Sequence, residues 1–479
     1  MLLIQNGFEC AYEMEIFIKL FFDKNEDVYI YTNLVHEKNR INVYTEILFG
    51  DAVYFEDYYL DFDLTGADRR LKKKIFTCAC TNSFCHAAQK IRAVSIPWGV
   101  LSGIRPAKSV RLLREEGKTA AEAAAFLKKV YEVSDEKIEL AMEVARSEER
   151  ILKQIGSNSV SLYIGIPFCP TRCLYCSFVS TDMRVSGKYM EGFVECLVRE
   201  IAHTGALLKT YGMYAENIYI GGGTPTTLSA GQLALIFDAV KTHIGTGRVK
   251  EYTLEAGRPD TITDEKLRAA KQGGVNRISI NPQTMNQKTL DKIGRRHTPE
   301  LVHEAFRMAR AHGFDNINMD LIAGLPDEAF ADFKYSLDEV AALDPENITV
   351  HSMCVKRAAA LRFSDTELAQ ARVMNRMLGY TQRLMRETGR APYYMYRQKN
   401  ISGNLENVGY AKAGTESFYN VNIMEEAQTI VALGGGGSSK VVVGDRIERV
   451  FNFKEPLEYI RRFDEILEKK DAVFRLLKD

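Results

Sequence analysis

An apolar, β-branched run ending at Ile166 leads directly into a proline-flanked loop that carries three cysteines, Cys169, Cys173 and Cys176. That junction constrains the fold more than any other feature of the chain. Ser161 to Phe168 has the length and residue types of a buried strand, and Pro167 and Pro170 stop the pattern, so the cysteines fall in a loop at the strand's C-terminal end. Thiolates are the standard ligands of iron–sulfur clusters, and a 4Fe-4S cube held by three of them keeps one iron open to another ligand. Zinc usually asks for four ligands, and the next candidates, Cys196 and His203, lie well beyond the loop. The remaining alternative is three small hydrophobes in a core, because free cysteine is among the most buried residue types.

The chain has 479 residues, more than one ordinary core, and length alone suggests about three domains. Lys plus Arg equals Asp plus Glu at 63 each, so no net field draws nucleic acid or an acidic membrane. The N-terminal stretch MLLIQNGFECAYEME carries glutamates and no basic residue, unlike a signal peptide. No apolar run approaches the roughly 18 residues of a membrane span. Nine cysteines, three of them wanted as thiolates, point to a reducing, cytoplasmic setting.

Residues 1–155 read as an N-terminal α/β domain. Strand-like pieces lie at Val28–Thr32, Ile41–Leu48 and Ala52–Leu60, and helices at Ala107–Glu116, Thr119–Tyr131 and Ser134 to Gln154, with Ser134 as N-cap. Cys78, Cys80, Cys85 and His86 cluster in sequence, but their spacing matches no standard zinc module, and core packing is the favoured reading. Trp98 is expected to pack this domain against its neighbour.

Residues 156–352 alternate strand and helix. Candidate strands are Ser161–Ile166, Asn217–Ile220, Glu251–Glu255, Arg277–Ile280, Asn316–Ile322 and Asn347–His351, with helices near 187–209, 230–243, 263–272, 299–312 and 329–342. This repeat predicts a parallel sheet, open or curled into a partial barrel, with its active edge at the strands' C-terminal ends. Residues 353–479 lose the repeat and read as a smaller α+β capping domain, with a long helix near Asp365–Glu387 and a glycine cluster, Gly434–Gly437.

Polar groups gather at the predicted edge. Gly222, Gly223 and Thr224 follow the second strand, Glu255 ends the third, Gln283 follows the fourth, Asp320 ends the fifth, and Arg295 lies in IGRRHT. Buried and unpaired, such residues would cost a few kcal/mol each, so the cluster suits a ligand better than a core.

The CxxxCxxC loop after YxxxPF resembles the radical S-adenosylmethionine (SAM) enzymes. More narrowly, YIGIPFCPTRCLYCSF, GGTPT, GVNRISINPQ and NMDLIAGLP resemble the oxygen-independent coproporphyrinogen III oxidase family, in its HemZ-type branch. The resemblance implies an α/β fold, a partial (β/α)6 TIM-like barrel flanked by the N-terminal domain and the C-terminal cap. It also implies a 4Fe-4S cluster on Cys169, Cys173 and Cys176, and one or two SAM molecules. Gly222, Gly223 and Thr224 would meet the methionyl part of SAM, Arg295 its carboxylate, Glu255 and Gln283 other polar parts, and Asp320 the ribose. Tyr163 would pack near the cluster as a catalytic candidate.

The implied reaction is oxidative decarboxylation of coproporphyrinogen III by a 5′-deoxyadenosyl radical, with a tetrapyrrole substrate and a one-electron reductant such as flavodoxin or ferredoxin. Lys356, Arg357, Arg362, Arg397 and Lys399 are candidate cations for its propionates. The alternatives within the family are a haem chaperone and a haem-modifying enzyme. The chaperones' His-Asn-x-x-Tyr-Trp element is replaced here by SFYNVNIMEEAQ. The chain departs from the family at Gly165, where histidine is usual, at Ser177-Phe178, where a further cysteine is usual, and in EAGRP, one residue longer than the usual Glu-to-Pro gap.

Overall fold

The computed structural model describes residues 1–176, 181–353, 365–397, 405–444 and 446–477, with side chains from residue 372 in the helix that begins at Asp365. The chain divides into two compact units. One holds Met1–Ala145, Ser352–Arg376 and Met395–Asn407; the other holds Arg146–His351, Met377–Tyr394 and Val408–Asp479.

In chain order the first elements are β1 (Leu2–Asn6), α1 (Ala11–Phe21), β2 (Val28–Glu37), β3 (Arg40–Phe49), β4 (Ala52–Asp61), α2 (Arg69–Gln89), α3 (Pro106–Glu115), α4 (Ala120–Tyr131) and α5 (Asp135–Leu152). Strands β1 to β4 form one sheet in sequence order. Ile41, Val43, Thr45 and Ile47 of β3 alternate inward, the period of a strand with one covered face. Helix α2 lies on that face, and its Ser83 hydroxyl meets Thr45 Oγ1 at 2.7 Å. Thr119 and Glu122 close a capping box on α4. Ser134 Oγ caps α5 by accepting from the Lys137 N–H at 3.4 Å.

The second unit contains β5 (Ser159–Ile166), β6 (Phe168–Cys169), β7 (Thr181–Asp182), α6 (Met183–Ser186), α7 (Met190–Thr210), β8 (Tyr214–Gly222), α8 (Ala230–Ala239), β9 (Glu251–Glu255), α9 (Asp264–Gln272), β10 (Arg277–Ser279), α10 (Gln287–Lys292), α11 (Pro299–Ala311), β11 (Ile317–Ala323), α12 (Phe330–Ala342) and β12 (Asn347–Ser352). Then follow α13 (Asp365–Glu387), β13 (Ala391–Arg397), β14 (Glu406–Ala411), α14 (Phe418–Glu425), β15 (Ile430–Gly434), β16 (Ser438–Val443), β17 (Arg446–Phe451), α15 (Pro456–Arg461) and α16 (Phe463–Leu476). Eleven strands form one sheet, ordered β13-β14-β12-β11-β10-β9-β8-β5-β15-β16-β17. The pairs from β15 through β5, β8, β9 and β10 to β11 are parallel, whereas β12–β14, β15–β16 and β16–β17 are antiparallel.

Register explains which residues share a face. Ala432 pairs with Tyr163, Tyr163 with Tyr219, Tyr219 with Thr253, and Thr253 with Arg277. In-register neighbours point the same way, so these line one inner, polar face. The intervening Leu162, Ile164, Ile218, Ile220, Leu254, Ile278 and Ile317 are fully buried on the opposite, apolar face.

The core strands and the five helices between them lie where the sequence pattern predicts. The boundaries around them need correcting. Residues expected to form a separate cap at 353–479 do not make a third compact unit: 377–394 and 408–479 group with the core, and 352–376 and 395–407 with the N-terminal residues. The physical reason is strand addition: β13 and β14 extend the sheet beyond β12, and β15 to β17 extend it beyond β5. The pattern also missed β1, α1, α2 and α10. Trp98 packs inside the first unit, where its Nε1 donates to Glu406 Oε2 at 2.7 Å.

Candidate functional site

The cysteine loop starts where β5 ends. Cys169 lies in β6, which pairs with β7 as Phe168 with Thr181 and Cys169 with Asp182, so the loop is cinched at its base. The loop rests on the turn after α10: Leu174 N–H donates to Ile293 O at 3.1 Å and Thr171 Oγ1 to Gly294 O at 3.1 Å. All three cysteines are half-buried. Cys169 Sγ lies 3.5 Å from Thr224 Oγ1, and Cys173 Sγ lies 3.7 Å from Arg258 Nη1. Ser177 and Phe178 lie outside the described residues.

The glycine run after β8 is bonded to the same loop. Gly223 N–H donates to Ile166 O and Thr224 N–H to Phe168 O, each at 2.7 Å. A Cβ on Gly223 would stand 2.5 Å from Phe168 O, and Gly222 adopts φ +108°. Both positions therefore demand glycine. Gly165 has its own cause. A Cβ there would come within 2.7 Å of Gly435 O, so the Gly434–Gly437 turn occupies the space that the family's usual histidine would need.

Glu255, at the end of β9, accepts from the Tyr219 hydroxyl. Burial pushes its carboxyl up to about 7, assisted by nearby Asp320 and opposed by that hydrogen bond. Asp320 accepts from Asn318 Nδ2 at 2.7 Å and faces His351 Nε2 at 3.7 Å. Burial raises its carboxyl, but His351 and Asn318 outweigh that and hold it below the usual range. Gln283 has φ +69°, its N–H donating to Asp320 O at 2.9 Å and its carbonyl accepting from Ile322 N–H at 3.0 Å. A non-glycine residue in that region costs of order 1–3 kcal/mol, a strain that concentrates at functional sites. Arg295 is 6% exposed; its Nε donates to the Tyr175 hydroxyl at 3.0 Å and its Nη1 to Gly257 O and Asn281 O at 3.1 and 2.5 Å. These bonds fix the plane of the guanidinium beside the cysteine loop.

Beneath this edge, Tyr163, Tyr219 and Tyr419 stack, with ring centroids 4.5 to 6.3 Å apart and planes within 21°. Tyr163, expected near the cysteines, therefore sits on the inner face under the glycine loop. Tyr419 belongs to α14, in the SFYNVNIMEEAQ stretch. At the other end of β5, Gln428 bonds Ser159, Ser161, Asn217, Glu216 and Asn422 in one buried polar network.

The sequence reading missed Thr171, Tyr175, Tyr219, Arg258 and His351. Tyr175 had a signal in standing between two cysteines, whereas Tyr219 and His351 required the strand register. Arg397 is corrected as a substrate cation: it is 3% exposed and its Nη1 donates to Leu101 O at 2.5 Å. Lys356, Arg357, Arg362 and Lys399 lie outside the described residues.

Among the described residues no three His, Cys, Asp or Glu side chains gather as ligands of a single ion. An iron–sulfur cube makes a different demand, one soft thiolate for each bound iron, and three thiols on one loop beside a guanidinium and a threonine hydroxyl meet it. The glycine cradle and the Glu255, Asp320 and Arg295 charges suit a ligand that carries both signs, as SAM does. Among the described residues no helix is long and apolar enough to cross a membrane.

Residues 163–340 match the model of the radical SAM superfamily. The oxygen-independent coproporphyrinogen-III oxidase-like protein HemZ of Bacillus subtilis is 40% identical over 394 residues, covering 81% of this chain and 79% of its own. The heme chaperone HemW of the same organism is 36% identical over 197 residues, 41% of this chain and 51% of its own. Among solved structures, coproporphyrinogen III oxidase (HemN) from Escherichia coli, a radical SAM enzyme, shares the fold with a TM-score of 0.52 at 23% identity, over 67% of this chain and 73% of its own. A glycine-cradled strand edge and a three-cysteine loop thus coincide with a relative matched over most of both lengths, and the chain belongs to the radical SAM family of oxygen-independent coproporphyrinogen III oxidase-like proteins, a family that uses a 4Fe-4S cluster and SAM.

Proposed function

We propose that this chain catalyses the oxygen-independent oxidative decarboxylation of coproporphyrinogen III to protoporphyrinogen IX in the cytoplasm: each of two propionates loses a β-hydrogen atom to a SAM-derived radical, carbon dioxide, and one electron to an external acceptor, and becomes a vinyl group. A one-electron reductant such as flavodoxin or ferredoxin supplies the electron for each SAM cleavage. The observation that carries the reading is the meeting of the cysteine loop, the glycine cradle and Glu255, Gln283, Arg295 and Asp320 on one edge of the sheet. Cys169, Cys173 and Cys176 would hold the cluster. Gly222, Gly223 and Thr224 would let SAM approach the backbone, Arg295 would take its carboxylate, Glu255 and Gln283 its cationic and polar parts, and Asp320 its ribose. Bound together, cluster and SAM supply a 5′-deoxyadenosyl radical for hydrogen abstraction. The chain's own task is positioning and exclusion of water, for which the Tyr163–Tyr219–Tyr419 stack closes the site from below.

A second reading, a haem-binding chaperone, is favoured by the partial likeness to heme chaperones. Weighing against it, the segment that would carry the chaperone element forms α14, whose Tyr419, Val421 and Asn422 are buried in the unit's interior. Incubation of the reconstituted protein with coproporphyrinogen III, SAM and reductant under strict anaerobiosis separates the two. Protoporphyrinogen IX with matching 5′-deoxyadenosine is the expected result. Stoichiometric haem binding with no change in any tetrapyrrole overturns it in favour of the carrier.

A further inference from the structure

The stretch EAGRP, one residue longer than the family's usual Glu-to-Pro gap, ends β9 and carries Arg258 to the cysteine loop. Arg258 is 3% exposed. One edge of its guanidinium is held by Asp260, Nε to Oδ1 and Nη2 to Oδ2, both at 3.0 Å. The remaining corner, Nη1, donates to Thr171 Oγ1 at 3.1 Å and to Cys173 Sγ at 3.7 Å. The short helical turn Pro259–Thr261 fixes the geometry, since Thr261 N–H and Oγ1 both bond Arg258 O, at 2.9 and 2.7 Å. The neighbouring ring of His297 is fully buried, and burial together with Arg295 depresses it to about 3, so it adds no charge of its own. Arg258 has no part in the SAM contacts assigned above. A buried, doubly anchored arginine aimed at a ligand thiol is costly to build for packing alone.

Resting on the reading of the three cysteines as cluster ligands, we propose that Arg258 is a positioning residue for electron entry: its contact with Cys173 raises the reduction potential of the cluster. Hydrogen bonds to cluster sulfur and nearby charge are the levers a protein has on that potential. Reduction takes one electron from a low-potential one-electron donor, breaks no bond, and makes the cluster one unit more negative. A guanidinium that cannot deprotonate favours that state. Asp260 orients the arginine and tempers its charge, so the pair sets the potential between two limits.

The test is an EPR-monitored redox titration of the anaerobically reconstituted full chain, without SAM, using dithionite and mediators. Arg258→Gln should keep its iron and lower the midpoint by about 59 mV or more, which is tenfold in the reduction equilibrium of a one-electron couple. Arg258→Lys, which keeps the charge, should fall between Arg258→Gln and the native chain, and Asp260→Asn should raise the midpoint. An unchanged midpoint in Arg258→Gln at full iron content overturns the proposal. Should Arg258→Gln hold no iron, a midpoint for Asp260→Asn at or below the native value overturns it instead. A native chain that reconstitutes no cluster fails differently, since it removes the cluster reading itself and this proposal with it.

Discussion

The chain uses cysteine in two ways, and the two units show why. Cys78, Cys80 and Cys85 lie on α2 with their side chains within the core of the first unit, and burial pushes the Cys78 thiol up to about 12. Cys169, Cys173 and Cys176 stand half-buried on a loop, with a hydroxyl beside Cys169 and a guanidinium beside Cys173. A thiol kept protonated among apolar neighbours behaves as a small hydrophobe, whereas one beside hydroxyl and guanidinium donors can serve as a thiolate ligand. The units also differ in their buried charges. In the first, Lys137 and Glu406, 1% and 2% exposed, meet at 2.6 Å and cancel. In the second, Lys470 and Glu200, both fully buried, also meet, at 3.2 Å, but Glu255, Asp320 and Arg277 share one face of the sheet, and Nε and Nη2 of Arg277 have no hydrogen-bond partner among the described residues.

The largest expected effect tests the cysteines. The triple variant Cys169→Ala, Cys173→Ala, Cys176→Ala should lose all of the roughly four irons per chain of the reconstituted protein. The matching variant at Cys78, Cys80 and Cys85 should keep them. Iron and sulfide analysis breaks the comparison if both variants lose iron or both retain it.

A smaller effect is expected from the cancelling pair. Lys137→Met should destabilise the chain by about 3–5 kcal/mol in urea unfolding, because it leaves Glu406 buried beside Trp98 without its cation. Replacing both partners with apolar residues should cost less, and neither change should alter iron content. Equal losses for single and double variants would show that the ion pair is not what matters there.

The smallest effect belongs to Glu255. Its carboxyl keeps a proton to about pH 7 in the fold against an ordinary value of 4.5, so its contribution to stability falls as pH rises between those values. SAM affinity should move the opposite way, tightening as pH rises through 7 and the carboxylate forms. Glu255→Gln should weaken SAM binding by roughly 1.5–3 kcal/mol at pH 8 and flatten its pH dependence. A calorimetric titration in which native protein and variant share one pH profile would remove Glu255 from the site.

The strand–helix order of the core, the cysteine loop at a strand's C-terminal end, and the residues that end successive strands were all legible before the chain was folded. Those are local signals: a period of two or 3.6, prolines that stop a strand, glycines that permit close approach. Tertiary structure alone decided the rest. Whether residues 408–479 cap the core or extend its sheet depends on β15 pairing with β5, whose partner residues lie far away in sequence. The Tyr163–Tyr219–Tyr419 stack depends on register, and a slip of one residue would turn each tyrosine to the other face. The contact of Arg258 with Cys173 depends on two loops from different strands meeting in space. Pattern reports what a residue's own neighbours impose, and these three arrangements are imposed by residues that only the folded chain brings near.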